Sequence, residues 1–452
     1  MFLRDKMRAP IMVTSSFNFP PSWKRLLQKG QPSPRLALLC FLDSISVDVM
    51  AISSLRTAVA RRAVRLTNAA VRFTGRGSGT VAGGHVGLRI DPQLLGKLSR
   101  GRTVILVSGT NGKTTTSALV RAGWGGVVAS NDTGANMPAG HVAALVSSTA
   151  SAVVLEVDEA WLDVVVAATA PKVVVLLNLS RDQLDRASEV RQLAQRWRDM
   201  VAAHPDVAYV ANASDPMVAY AVDGAPLVSW VEVPRGWRED ARSCPRCTAL
   251  LTFDTTWHCT CGFAQPLATT SIDERGEVVL DGAALPLALG LPGFFNRVNA
   301  AFAVRALSLV GVAPEDAAAR VAGVSAVQGR YGLRQWRGRT VRLLLAKNPA
   351  GVGALIDEFL TTKDELWVAL NARVADGRDP SWIYDAPFEL LEGRAVWCLG
   401  DRRLDMATRL HYANVTTTVV DRQDDLPAGT TPVTVIANYT AFREIFEAST
   451  PC

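Results

Sequence analysis

The stretch ILVSGTNGKTTTSAL, from Ile105 to Leu119, decides how this chain folds. The apolar run Val104–Val107 reads as a buried strand. Ser108-Gly109-Thr110-Asn111-Gly112 reads as a tight turn, and Lys113-Thr114-Thr115-Thr116 as the opening of a helix. A strand, a glycine turn and a helix N-terminus aim unpaired backbone N–H groups and the positive end of a helix dipole at one point, which makes a phosphate cradle. Gly109 and Gly112 let the backbone approach an anion closely, and Lys113 can reach β- and γ-phosphates. The hydroxyl of Thr114 or Thr115 can hold Mg²⁺. The spacing is Gly-x-x-Gly-Lys-Thr-Thr, with Val107 where a longer phosphate loop would carry its first glycine. A nucleoside triphosphate, ATP in the first instance, is the expected ligand.

Outward from this loop, Val153–Glu159 is an apolar strand ending in acids. Lys172–Asn178 is a second buried strand and Val207–Ala211 a third. Continuous β-branched runs separated by helical stretches predict a parallel sheet covered on both faces. The polar residues at the strand ends then fall in the crevice beside the phosphate loop. Glu156 is a candidate Mg²⁺ ligand, because a hard cation prefers carboxylate oxygen, with Asp158 and Glu159 as neighbours able to take the same part. A helix is expected over Asn296–Val310 and a boundary near Gly323–Gly332. Beyond it, strands at Val341–Leu345, Leu366–Leu370, Val396–Leu399 and Val433–Ile436 predict a smaller α/β domain over 330–452. Residues 50–325 are read as an N-terminal segment followed by the ATP-binding domain. Residues 1–49 are read as an extension from an upstream start or a disordered tail.

With 452 residues, 48% hydrophobic and 20% charged, the chain is an ordinary globular one, too long for a single core. The 48 Lys and Arg against 42 Asp and Glu give a net charge of +6. The basic residues are scattered without interleaved aromatics, so an anionic substrate suits them and nucleic acid is not an expected partner. The apolar stretch Leu36–Ile52 carries Asp43 and Asp48, which makes it a poor membrane span. Of seven cysteines, four cluster between Cys244 and Cys261. An odd count in an ATP-binding chain suggests a reducing compartment and a metal site rather than disulfides.

Cys244-Pro-Arg-Cys247 and Cys259-Thr-Cys261-Gly262 resemble a zinc ribbon inserted at about 240–267, able to close a tetrahedral structural Zn²⁺ site. The second knuckle is a residue short. Either Cys259 ligates with Cys261, or His258 takes its place at the usual spacing.

GTNGKTTT, the Glu156 strand, Asn178-Leu-Ser-Arg-Asp-Gln-Leu-Asp-Arg186 and Gly293-Phe-Phe-Asn296-Arg-Val-Asn299 together resemble the Mur ligase superfamily. Asn131-Asp-Thr-Gly134-Ala-Asn-Met137, the cysteine insert, Leu345-Ala-Lys347-Asn348-Pro-Ala-Gly351 and Ala375-Asp376-Gly-Arg-Asp379-Pro-Ser-Trp382 resemble its MurT-like branch. The resemblance implies a Mur-ligase-like P-loop ATPase domain with a zinc-ribbon insertion and a C-terminal α/β domain. It implies ATP-dependent amidation, through an acyl phosphate, of the D-glutamate α-carboxylate in the lipid II stem peptide. The ammonia would come from a GatD-like glutaminase partner, with the pair working in the cytoplasm at the inner face of the membrane. By position, Lys113 and Thr114 fall on the family's phosphate and Mg²⁺ residues, Glu156 on its magnesium glutamate and Asn296 in its adenine pocket. Gln183 stands where amino-acid-adding relatives often have histidine, and Lys347-Asn348-Pro349 lacks the aspartate of the corresponding motif. Asp379, or failing it Asp376, is expected to orient the partner's catalytic histidine. Two other readings remain: an amino-acid-adding ligase of the Mur or folylpolyglutamate type, and a nucleotide-dependent switch that joins nothing.

Overall fold

A computed structural model describes residues 34–73, 81–181, 190–234, 236–327, 330–359 and 362–451. Of the described residues, those up to Val59 form one unit and those from Ala60 onward another. The expected extension over 1–49 lies largely outside the described residues, and its last part, from Pro34, is helix. That helix, α1, runs Pro34–Phe73. No described helix is long and apolar enough to cross a membrane.

Among its described residues the larger unit carries two large sheets and a two-stranded one. Its first has nine strands in the order β11-β10-β9-β6-β5-β4-β1-β3-β2. The parallel part comprises β1 (Thr103–Ser108), β2 (Val128–Ser130), β3 (Ala152–Glu156), β4 (Val173–Leu176), β5 (Ala208–Asn212) and β6 (Val228–Val231). The short strands β9 (Thr270–Ile272), β10 (Val278–Leu280) and β11 (Ala283–Leu285) prolong it. The buried runs expected at Val104, Val153, Lys172 and Val207 are four of these strands. Alternate residues of β1 enter opposite cores: Val104 and Leu106 join one, Ile105 and Val107 the other. Both faces being covered, the strands read as unbroken apolar runs.

Between β6 and β9 the chain leaves the sheet for the cysteine insert and returns where it left. Glu232 N donates to Thr270 O (2.8 Å) and Thr269 N to Trp230 O (3.2 Å). The insert holds the two-residue strands β7 (Thr252–Phe253) and β8 (Trp257–His258).

The second sheet has seven strands, β16-β15-β14-β17-β13-β12-β18. Its parallel centre is β13 (Arg339–Leu345), β14 (Glu365–Ala369), β15 (Ala395–Leu399), β16 (Thr416–Val419) and β17 (Val433–Ala437). The four strands expected after Val341 are among these. Antiparallel β12 (Tyr331–Trp336) and, outside it, β18 (Thr450–Pro451) extend the edge at β13.

Helices cover the sheets in the order α2 (Ala82–Ile90), α3 (Leu94–Ser99), α4 (Lys113–Trp124), α5 (Pro138–Leu145), α6 (Leu162–Thr169), α7 (Val190–Ala203), α8 (Pro216–Ala221), α9 (Phe294–Ser308), α10 (Pro314–Ala322), α11 (Pro349–Phe359), α12 (Arg403–Tyr412) and α13 (Tyr439–Ala448). α9, close to the helix expected at Asn296–Val310, packs beside α4. It thereby sets the Gly293–Asn299 motif against the phosphate loop.

Candidate active site

The turn after β1 is built as its glycines require. Gly109 and Gly112 have φ of 139° and 88°, in the region that side chains avoid. A Cβ on Gly109 would lie 2.9 Å from the backbone nitrogen of Asn178, and one on Gly112 would lie 2.7 Å from Asn299 Oδ1. Gly112 caps α4, so the helix N-terminus opens toward the turn. Neighbouring loops fix the turn's outline. Asn178 accepts from Asn111 N (2.9 Å) and donates to Asn111 O (3.0 Å). Thr110 Oγ1 donates to Ser180 O (3.1 Å) and accepts from Ser180 N (3.0 Å).

A cavity of about 590 Å³ opens here, bordered by Thr110–Thr115, Glu156, Asn296 and, from the second sheet's side, Arg330, Lys347 and Gly351. That is ample for a nucleotide. Thr110 to Thr115 thus meet Glu156 and Asn296 in one place, while Gly109, also expected on the loop, lies outside the cavity lining. Asn296 is buried, donates to Pro292 O (2.6 Å) and accepts from Asn299 Nδ2 (3.5 Å).

Lys113 Nζ folds over the turn, donating to Gly109 O (2.5 Å) and Thr110 O (3.3 Å) and pairing with Glu159 Oε2 at 2.9 Å. Glu159 therefore engages the lysine, while Glu156, 4% exposed, and Asp158 both border the cavity. Thr114 Oγ1 accepts from Arg330 Nη2 (2.9 Å) and Nε (3.2 Å). A buried carboxylate, a hydroxyl and triphosphate oxygens form an all-oxygen donor set that fits Mg²⁺. The loop's exposed N–H groups and Lys113 fit the triphosphate.

Residues from far along the chain complete the site. Asn348, fully buried, faces Asn111 in a reciprocal amide pair: Asn111 Nδ2 to Asn348 Oδ1 at 3.3 Å, Asn348 Nδ2 to Asn111 Oδ1 at 3.1 Å. Gly351 N also donates to Asn348 Oδ1 (2.8 Å). Asp215, buried at the N-cap of α8, accepts from Leu179, Met217 and Val218 N–H groups, yet burial pushes its carboxyl up to about 6. Asn178, Asn348 and Arg330 had no role assigned from sequence. Only the fold brings them to the loop. Gln183 lies outside the described residues.

The two C-terminal aspartates differ in setting. Asp376 is buried, and its carboxylate accepts from Thr440 N (2.8 Å), Thr440 Oγ1 and Arg373 N (3.3 Å), tying its loop to the start of α13. Asp379 is exposed. Its Oδ1 accepts from Ser381 N (2.9 Å), a bond that holds the carboxyl below its usual range.

The insert gathers the sulfurs of Cys244, Cys247, Cys259 and Cys261 within 4.8 Å of one another. Cys244–Cys261 and Cys247–Cys259 Sγ separations are 3.7 and 3.4 Å. Tetrahedral zinc thiolate sites need about 3.8 Å, so the set fits zinc. His258 is not in the group; it lies on β8, exposed. The short second knuckle closes through Gly262, at φ 85°, whose N–H donates to Cys259 O (3.0 Å). Cys244 and Cys259 sit in a small core with Trp257 and Phe263.

Known proteins resemble this chain in sequence and in fold. Residues 107–231 match the Mur ligase middle domain, and residues 345–442 match the MurT ligase C-terminal domain. The chain is 28% identical to the lipid II isoglutaminyl synthase (glutamine-hydrolyzing) subunit MurT of Staphylococcus aureus (strain COL), covering 85% of this chain and 95% of that protein. It is also 28% identical to the protein of the same name from Streptococcus pneumoniae (strain ATCC BAA-255 / R6), over 74% of this chain and 81% of that one. Among solved structures, a pseudomurein peptide ligase type C from Methanothermus fervidus superposes with a TM-score of 0.61 at 19% identity, covering 79% of this chain and 80% of that one. MurF from Acinetobacter baumannii superposes with a TM-score of 0.59 at 13% identity, covering 80% and 79%. These two share the fold. The phosphate loop therefore lies in a Mur ligase middle domain and most of the second sheet in a MurT ligase C-terminal domain, the two domains that make this chain similar to MurT subunits.

Proposed function

We propose that this Mur-type ligase is the synthase subunit of a two-subunit amidotransferase, converting the α-carboxylate of D-glutamate in the lipid II stem peptide to D-isoglutamine. The observation that carries this reading is the joint one: a complete phosphate loop opens on the same cavity as a MurT-type C-terminal domain, and that domain presents Asp379 to solvent.

ATP lies with its phosphates on the turn Gly109–Thr115. Thr114 and Glu156 would hold Mg²⁺, which supplies charge neutralisation at the β- and γ-phosphate oxygens. Lys113 leaves Glu159 for the phosphates. The substrate carboxylate oxygen attacks the γ-phosphorus, the bond to the bridging oxygen breaks, and ADP departs. The ammonia lone pair then attacks the acyl carbon, and phosphate leaves with the surplus proton. The walls from Trp237 to Glu239 and from Gly351 to Ala354 keep water from the acyl phosphate. Glutamine hydrolysis belongs to a GatD-like partner, whose histidine Asp379 orients. Its exposure suits that task, whereas the buried, fully bonded Asp376 suits holding the loop. The Cys244–Cys261 cluster holds structural Zn²⁺. A lipid-linked substrate implies work at the inner face of the cytoplasmic membrane.

The test is reconstitution of the full chain with a glutaminase subunit, ATP, lipid II and either glutamine or ammonium, with the product read by mass spectrometry. Carboxamide formation from both nitrogen sources supports the reading. Addition of an amino acid instead, or ATP hydrolysis indifferent to lipid II and ammonia, would replace it by the ligase or switch alternative. Lys113→Ala must abolish turnover in every case.

A further inference from the structure

At the carboxyl end of β3 the sheet stops short. β2 pairs with β3 from Val128 opposite Ala152 as far as Ser130 opposite Val154 and no further. The peptide groups of Glu156 therefore extend past the last residue of their neighbour on that side, where buried N–H and C=O groups need partners. The next residue along, Asn131, supplies them with its side chain. Its Oδ1 accepts from Glu156 N at 2.9 Å, and its Nδ2 donates to Glu156 O at 2.8 Å. His141 Nε2 donates to the same carbonyl at 2.9 Å. Both side chains are buried, Asn131 to 3% exposure and His141 completely. A carboxamide offers a donor and an acceptor side by side, as a peptide group does, so Asn131 acts as the missing strand's peptide.

The same Nδ2 donates to Ala135 O (3.0 Å), and Gly134 N donates to Asn131 O (3.0 Å). The turn Asp132–Ala135 is thereby folded onto the strand end. It leads directly to Asn136, which borders the cavity and accepts from Asp158 N at 3.0 Å.

We infer that Asn131, supported by His141, is a positioning residue for the metal-binding carboxylate: it fixes the backbone of Glu156 on both sides so that the side chain is presented to the cavity at Thr114. This rests on Glu156 being the magnesium ligand. Groups that orient a ligand without touching the ion affect metal affinity about 10- to 100-fold when lost.

The experiment uses the full chain with a non-hydrolysable ATP analogue and Mn²⁺ as probe, bound metal being counted by electron paramagnetic resonance. Asn131→Ala and Asn131→Asp, which keeps the shape but cannot donate, are compared with Glu156→Gln. Analogue affinity in chelator and melting temperature without metal are recorded alongside. The expected result is Mn²⁺ binding weakened about 10-fold or more in both Asn131 variants, with analogue affinity in chelator unchanged. Where an Asn131 variant does not fold, His141→Asn removes a single bond and is expected to weaken Mn²⁺ about 3-fold. Wild-type Mn²⁺ affinity in folded Asn131 variants, beside loss in Glu156→Gln, would overturn the positioning role. Wild-type affinity in Glu156→Gln itself would overturn the ligand assignment beneath it.

Discussion

Asn348 joins the second sheet to the phosphate loop, and the strength of that joint follows from its geometry. Asn348→Ala removes the two reciprocal amide bonds to Asn111 and the bond from Gly351 N. Neutral hydrogen bonds contribute about 1 kcal/mol each net, so the substitution should cost about 3 kcal/mol. Asn111→Ala removes the two reciprocal bonds but strands Asn348 in a fully buried site, for a cost of about 2–3 kcal/mol. Because the reciprocal bonds are shared, the double variant should fall short of the sum by about 1–2 kcal/mol. Urea unfolding followed by tryptophan fluorescence reads this, since Trp336 and Trp367 meet edge to face in the second sheet, with ring centroids 5.5 Å apart. Additivity within about 0.5 kcal/mol would mean that the two amides do not act on each other and would refute the reasoning.

Other outcomes follow from the site. Cys244→Ser should cost the insert its zinc, measured by atomic absorption, while ATP binding by calorimetry persists; zinc retained at full stoichiometry would count against the four-thiol set. Asp379→Asn should abolish glutamine-dependent but not ammonium-dependent amidation, whereas Asp376→Asn should lower the melting temperature. The reverse pattern would exchange their roles. Burial raises the Asp215 carboxyl to about 6, so the folded protein holds that proton more tightly than the unfolded chain does. Unfolding free energy should then fall as pH rises from about 4 to about 6, by about 3 kcal/mol in all. Asp215→Asn should remove that slope in urea melts across the window, and an unchanged slope would show that another group titrates there.

What the sequence discloses is what is local. The phosphate loop declares itself because strand, glycines, lysine and threonine are consecutive, and the central strands because burial on both faces makes them continuous apolar runs. The strands β9 to β11, of three residues each, are too short to show a period, and the two-residue β18 is defined by its pairing with β12, far back along the chain. The site divides likewise. Lys113, Thr114 and Glu156 could be named in advance, but Asn348 meets Asn111 and Arg330 meets Thr114 across more than two hundred residues. Asp376 and Asp379 are alike as letters, and only packing separates the buried one from the exposed one. The short second knuckle left His258 and Cys259 level, until the turn at Gly262 brought the sulfur rather than the imidazole inward.

The seam at Glu232 and Thr269 has a further implication. A chain that departs and rejoins at adjacent rungs can gain or lose whatever lies between without disturbing the ladder on either side. The thiol-rich module is in that sense a detachable graft. Its root, however, from Trp237 to Glu239, forms part of the cavity wall. Excising it and bridging the seam with a tight turn should leave a protein that folds, binds nucleotide and leaks, its activated intermediate lost to solvent.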